Sequence, residues 1–133
     1  EKWRKELMVT WILWALILAM LAWMGFNYLR IRRAAKIVDN EEFEALIRTG
    51  QLIDLRDPAE FHRKHILGAR NIPSSQLKTS LAALRKDKPV LLYENQRAQR
   101  VTNAALYLKK QGFSEIYILS YGLDSWKGKV KTN

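Results

Sequence analysis

Between Leu7 and Leu29 lie 23 consecutive residues without a charged side chain. As a helix rising about 1.5 Å per residue they span roughly 34 Å, enough to cross a hydrocarbon core of about 30 Å. The chain has 133 residues, and the roughly 100 outside this stretch are too few to wrap a helix that is apolar on every face. Trp11 and Trp14 near one end, with Trp23, Phe26 and Tyr28 near the other, match the aromatic belts that settle at headgroup depth. Residues 7–29 are therefore expected to form a transmembrane helix, with residues 1–6 as an N-terminal flank. A cleaved signal peptide has a shorter apolar core of about 7 to 15 residues followed by small residues. Here Tyr28, Leu29, Arg30, Ile31, Arg32 and Arg33 follow, and no cleavage is expected.

Orientation is read from basic residues close to the span. Lys2, Arg4 and Lys5 precede it, punctuated by Glu1 and Glu6, whereas Arg30, Arg32, Arg33 and Lys36 follow with no acid among them. This places the large domain on the cytoplasmic side of a cell membrane in a single-pass arrangement, with residues 30–36 as a basic juxtamembrane linker. Net charge is +10. Residues 1–36 carry seven basic and two acidic side chains, an excess suited to anionic headgroups at about 1 kcal/mol per cation near the surface. The remaining residues carry sixteen and eleven. Their cations are scattered, without a helix-turn-helix or aromatic-basic pattern, so no nucleic-acid partner is expected.

Beyond the basic cluster, apolar periodicity alternates between strand and helix. Asp39 or Asn40 can cap a helix that carries Phe43, Leu46 and Ile47 and stops at Gly50. Leu52 to Leu55 is a short apolar run broken by Asp54, Pro58 to His62 suggests a helical turn, and Asn71 to Pro73 a short extended piece. Ser75 to Leu84 is expected to be helical, with Leu77, Leu81 and Leu84 on one face. Val90 to Tyr93 reads as a buried strand, Val101 to Gln111 as a helix ended by Gly112, and Ile116 to Leu119 as a last strand. Such alternation argues an α/β fold with a parallel sheet and helices on both faces.

Two segments carry a more specific signal. Leu52-Ile53-Asp54-Leu55-Arg56-Asp57-Pro58-Ala59-Glu60-Phe61, followed by His65-Ile66-Leu67-Gly68-Ala69-Arg70-Asn71-Ile72-Pro73, resembles the rhodanese-like pattern LIDVRxxxEFxxGHIxGAxNIP, with Lys64 where Gly is usual. Pro89 to Tyr93, then Ala104, Ala105, Leu108, Gly112, Phe113, Ile116, Tyr117, Leu119, Gly122 and Trp126, resemble the family's second half and its closing LxGGxxxW, with Tyr121 for the first Gly. The resemblance covers residues 37–128 and leaves 129–133 as a tail. It implies a rhodanese-like parallel five-stranded sheet with helices on both faces, preceded here by one transmembrane helix, and an ancestry in sulfur transfer.

The resemblance also implies that active members begin the loop between strand and helix with a Cys. Its thiolate carries persulfide sulfur and is stabilised by inward backbone N–H groups at a helix N-terminus. Within these 133 residues there is no Cys, which excludes disulfides, cysteine zinc sites and a thiol nucleophile of the chain's own. The loop reads Glu94, Asn95, Gln96, Arg97, Ala98, Gln99, Arg100. Counting from the strand sets Glu94 at the Cys position, and counting back from the helix sets Asn95 there. A carboxylate among inward N–H groups is held ionised and fills the place of an anionic substrate, so Glu94 reads as a built-in occupant rather than as a carboxylate nucleophile. Arg97 and Arg100 suit a small external anion such as phosphate.

Asp54, Arg56, Glu60, His65, Gly68 and Trp126 belong to the family signature, and their expected role is structural. His62 and His65 have no carboxylate cluster at metal-ligand spacing, so neither a metal nor a cofactor is expected. The leading expectation is a catalytically degenerate rhodanese-like module, docking on or regulating a membrane or membrane-proximal protein. The alternatives are a sulfurtransferase-type or anion-handling enzyme that borrows a partner's thiol, and an anion sensor acting through residues 94–100.

Overall fold

The computed structural model describes residues 2–96 and 99–132, and its two compact units divide between Arg32 and Arg33. The first is built from a single helix, α1 (Lys2–Ala34, 33 residues). It is long and apolar enough to cross a membrane, and its large hydrophobic side chains, Trp11, Trp14 and Trp23 among them, are exposed. The helix does not stop at Leu29. Arg and Ala are strong helix formers, so Arg30 to Ala34 continue it, and Lys36 opens the first strand, β1 (Lys36–Val38). Residues 30–34 are thus helical and Lys36 is already in a strand.

The second unit follows as α2 (Asn40–Ile47), β2 (Gln51–Asp54), α3 (Pro58–Arg63), β3 (Lys64–Ile66), β4 (Arg70–Asn71), β5 (Val90–Tyr93), α4 (Gln99–Lys110), β6 (Ile116–Leu119) and β7 (Val130–Thr132). Five strands form one parallel sheet in the order β1-β6-β5-β2-β4. Residues of central β5 alternate between two cores. Val90 and Leu92 join Val101, Ala104, Ala105 and Leu108 of α4, while Leu91 and Tyr93 join Phe43 of α2 on the other face. All four β5 residues are buried, as a strand covered on both faces requires. The expected α/β architecture with a five-stranded parallel sheet and helices on both faces is therefore the one observed.

Of the two candidate caps for α2, Asp39 performs the capping. Its Oδ1 accepts the N–H of Glu42 at 2.9 Å, and Asn40 instead donates through Nδ2 to the Ser125 carbonyl at 2.8 Å.

The expected helix over Ser75 to Leu84 is absent. Two 3-10 turns, Ser74–Gln76 and Leu81–Ala83, take its place. The hydroxyl-rich sequence explains the break, since such side chains bond locally and compete with the helix ladder. Thr79 Oγ1 donates to the Gln76 carbonyl at 3.0 Å, and Ser80 sits at φ −103°, ψ 9°. Leu77 and Leu84 are nevertheless buried, with Leu81 packed beside them. The apolar spacing was therefore real, but turns satisfy it as well as a helix.

Helix α4 also departs from expectation, starting at Gln99 ahead of Val101. Lys64–Ile66 and Val130–Thr132, the second of them within the expected tail, form an antiparallel two-stranded ribbon.

Candidate functional site

Parallel strands end on one edge of the sheet, and the loops after β2 and β5 meet there. Asp54, the last residue of β2, is fully buried, and Arg56 two residues on is nearly so. Their side chains form a fork. Arg56 Nε donates to Asp54 Oδ1 and Oδ2 at 3.1 and 3.2 Å, Nη2 to Oδ2 at 2.9 Å, and the Arg56 backbone N–H to Oδ1 at 2.8 Å. Burial works against the guanidinium charge, but the hydrogen bonds and charge of Asp54 outweigh it, and the Arg56 pKa is raised. Arg56 also donates to the Lys64 carbonyl, which ties the start of β3 to the end of β2.

The fork reaches the loop through Asn95. Arg56 Nη1 donates to Asn95 Oδ1 at 3.0 Å, and Asn95 Nδ2 donates to Glu60 Oε2 at 2.7 Å. Asp54, Arg56, Asn95 and Glu60 therefore form one chain of contacts across three segments. An amide suits the centre of that chain because it accepts from the guanidinium and donates to the carboxylate.

Glu94 directly follows β5 and is buried. Its Oε2 accepts the backbone N–H of Val101, in the first turn of α4, at 2.9 Å. That carboxylate supplies an acceptor for a helix-end donor and places negative charge at the helix N-terminus, where it is favourable. The backbone here is pinned from the far side as well. The N–H groups of Leu123 and Asp124 donate to the Glu94 and Asn95 carbonyls at 2.8 and 3.0 Å. Gly122 permits this approach, because a Cβ at that position would lie 2.4 Å from the Asn95 oxygen and 2.5 Å from that of Glu94, and its φ of 70° also favours glycine.

The remaining loop residues diverge. Gln96 Nε2 donates to Asp124 Oδ2 at 3.5 Å, and Gln99 Nε2 donates to Asn103 Oδ1 at 2.8 Å along the helix. Arg97 and Ala98 lie outside the described residues. Arg100 Nη1 stands 4.0 Å from Asp57 Oδ1 and lines a small cleft of ≈ 260 Å³ with Ser74, Ser75, Lys78, Asn103 and Tyr107. A second, open cleft of ≈ 540 Å³ lies over the fork, lined by Arg56, Glu60, Arg63, Lys64, Asn95, Leu123 and Asp124.

Three signature residues lie apart from the loop contacts. His65 stacks on Phe61 with ring centroids 3.8 Å apart and its Nδ1 is 2.7 Å from the Phe61 carbonyl. Gly68, at φ 91°, turns the chain after β3. Trp126 meets Phe43 edge to face at 5.9 Å. Sequence reasoning did not single out Asn71 and Tyr93 as site residues. Asn71 Nδ2 donates to the Asp54 and Arg56 carbonyls at 3.2 and 2.9 Å. Buried Tyr93 accepts the N–H of Ile66 at 3.1 Å through its hydroxyl oxygen. A phenol at the end of an otherwise aliphatic strand was the available signal, since a buried hydroxyl needs a partner.

Known proteins share this sequence pattern and fold. Residues 39–129 match the rhodanese-like domain. The uncharacterized protein YqhL of Bacillus subtilis is 48% identical over 113 residues, covering 85% of this chain and 89% of that protein. The thiosulfate sulfurtransferase GlpE of Stutzerimonas stutzeri is 36% identical over 95 residues, covering 69% of this chain and 84% of that one. A crystal structure of a rhodanese-related protein from Thermoplasma volcanium superposes with a TM-score of 0.67 at 23% identity, over 74% of this chain and 99% of that one.

Proposed function

This chain belongs to the rhodanese-like domain family, and we propose that within it the protein is a non-enzymatic module, tethered to the cytoplasmic face of a membrane, that docks on a membrane or membrane-proximal protein. The observation that carries the proposal is Glu94. In a chain with no Cys, the residue that follows β5 is a carboxylate already bonded to the α4 N-terminus. A carboxylate of the chain bonded at a helix end competes there with an anionic substrate. Asn95 adds to this by joining Arg56 to Glu60, so two polar side chains at the head of the loop are engaged within the protein. What the loop offers outward is the open cleft over the fork, with cations Arg63 and Lys64 beside the acids Glu60 and Asp124. Mixed charge of this kind selects a partner by complementarity. The apolar helix supplies the tether, and confinement to one membrane raises the effective concentration of partners there.

The test is sulfur transfer from thiosulfate to cyanide by the full-length protein. Its expected rate equals that of buffer. Turnover by the protein alone overturns the non-enzymatic reading. Turnover that appears only on addition of a thiol protein marks an enzyme completed by a partner's Cys.

A further inference from the structure

We propose that the β3–β7 ribbon is an anionic-lipid docking surface that holds the domain against the headgroups of the bilayer, an inference that rests on the reading of α1 as the membrane tether. The strands pair Lys64 with Thr132, His65 with Lys131 and Ile66 with Val130. Ile66 is buried in the core, and its partner Val130 lies on the same face of the ribbon. Lys131 alternates with Val130 and so projects from the opposite face, the one it shares with His65, and Lys129 directly precedes the strand. Lys64, which pairs with Thr132, lies instead on the Ile66 face of the ribbon. Lys129 and Lys131 are both exposed.

Charge here is unbalanced. No acid occurs from Phe61 to Lys86, and none follows Asp124. Among the described residues, none of the ion pairs uses these lysines. Arg63 and Lys64 stand apart from this set, lining the cleft with Glu60 and Asp124. Arg70 turns elsewhere, with Nη1 and Nη2 donating to the Ala83 carbonyl at 3.5 and 3.4 Å.

The ribbon also ends in an apolar tip. Leu67 follows β3 with 49% of its surface exposed, and its N–H donates to the Lys129 carbonyl at 3.0 Å, so the exposed leucine is fixed beside the lysines. Cations flanking a protruding leucine match an interfacial membrane contact, in which the lysines meet anionic headgroups while the apolar side chain enters the boundary. A lipid surface is the favoured occupant, because the same chain carries a helix long and apolar enough to cross a membrane. An edge strand lined with Lys also resists pairing with another strand.

The chain's lack of Cys makes the test direct. Full-length protein carrying Leu67→Cys, labelled with bimane, is mixed or reconstituted with vesicles containing nitroxide-labelled lipid. One set is phosphatidylcholine alone, and in the other a third of the lipid is phosphatidylglycerol. Strong quenching is expected only with phosphatidylglycerol, with loss of quenching at about 1 M salt, where the screening length is about 3 Å. Lys129→Gln and Lys131→Gln should each weaken docking about fivefold, and about 25-fold together, the value of about 1 kcal/mol per cation. Equal quenching in both lipids, quenching in neither, or an unchanged double variant overturns the proposal. Flotation with phosphatidylcholine vesicles tests the tether separately. A chain that fails to float there overturns the anchor, while quenching on phosphatidylglycerol vesicles still decides the ribbon.

Discussion

The carboxylate of Glu94 accepts the backbone N–H of Val101 at 2.9 Å, so the loop between β5 and α4 is bridged by one of its own side chains. Glu94→Ala removes a charged acceptor and should cost about 1.5 to 3 kcal/mol, read as a lower urea midpoint with an unchanged slope. The vacated helix end should then bind phosphate or sulfate more tightly than the parent does, as read by calorimetry. Glu94→Cys places a thiol at the same helix N-terminus, and its lowered pKa should make it react with iodoacetamide near neutral pH faster than free cysteine. Ordinary thiol reactivity together with no anion binding by the alanine variant would falsify the cradle.

Gly122 and Gly68 both have positive φ, yet they should respond differently to alanine. Nothing lies within 4 Å of a Cβ at Gly68, so Gly68→Ala should cost only the left-handed backbone penalty of about 1 to 2 kcal/mol. At Gly122 the added methyl collides with the Glu94 and Asn95 carbonyls. Gly122→Ala should cost clearly more and should alter amide exchange at Leu123 and Asp124. Equal melting temperatures for the two variants exclude this account.

Among the described residues, Asp54 is the sole carboxylate to which Arg56 donates directly. Asp54→Asn strands a buried cation and should destabilise the domain by about 3 to 5 kcal/mol. The exposed Arg85–Asp87 pair is shorter, at 2.6 Å, and the Asp87 pKa is lowered by its hydrogen bond to Arg85. Asp87→Asn should nonetheless leave chemical denaturation unchanged, because solvent screens such pairs. Similar losses for both variants would mean that burial is not what separates them.

Burial first, and the adjacent Asp54 charge second, hold the Tyr93 phenol well above its usual range. Above about pH 10 the unfolded chain loses this proton while the folded protein keeps it. Stability from this group is therefore complete below about pH 10 and declines above it, by at most about 1.4 kcal/mol per pH unit. Tyr93→Phe should flatten that alkaline decline. At neutral pH it should cost about 1 to 3 kcal/mol, since the Ile66 N–H loses its acceptor. Urea titrations of both proteins across the alkaline range supply the comparison, and identical slopes refute it.

For α1, the expectation is that full-length protein stays with membranes through an alkaline wash, whereas a chain lacking residues 2–29 is released. Protease added outside intact cells should leave the domain uncut. Release of the full chain, or digestion from outside, reverses the anchor or its orientation respectively.

Legibility followed the length and closeness of the interactions. Val90–Tyr93 and Ile116–Leu119 were readable because strands buried on both faces must be apolar throughout. Val130–Thr132 gave no such signal, since a short piece among alternating lysines has weak strand preference, and only pairing with Lys64–Ile66 makes it a strand. Ser75 to Leu84 misled because Leu spacing reports which side chains reach the core and not how the backbone delivers them. At the site, Glu94 was legible from its place after β5. The link from Arg56 through Asn95 to Glu60 was not, because it joins residues 39 and 35 positions apart.

An anion bound from solution comes and goes with supply, but the Glu94 carboxylate is covalently part of the chain and has no off-rate. The bond it makes to the Val101 N–H therefore needs no ligand supplied from outside. The loop also has no thiol to oxidise. On the proposed docking reading, information that reaches a partner through this loop is carried by how much protein is present and where it is held, and not by what the site has loaded.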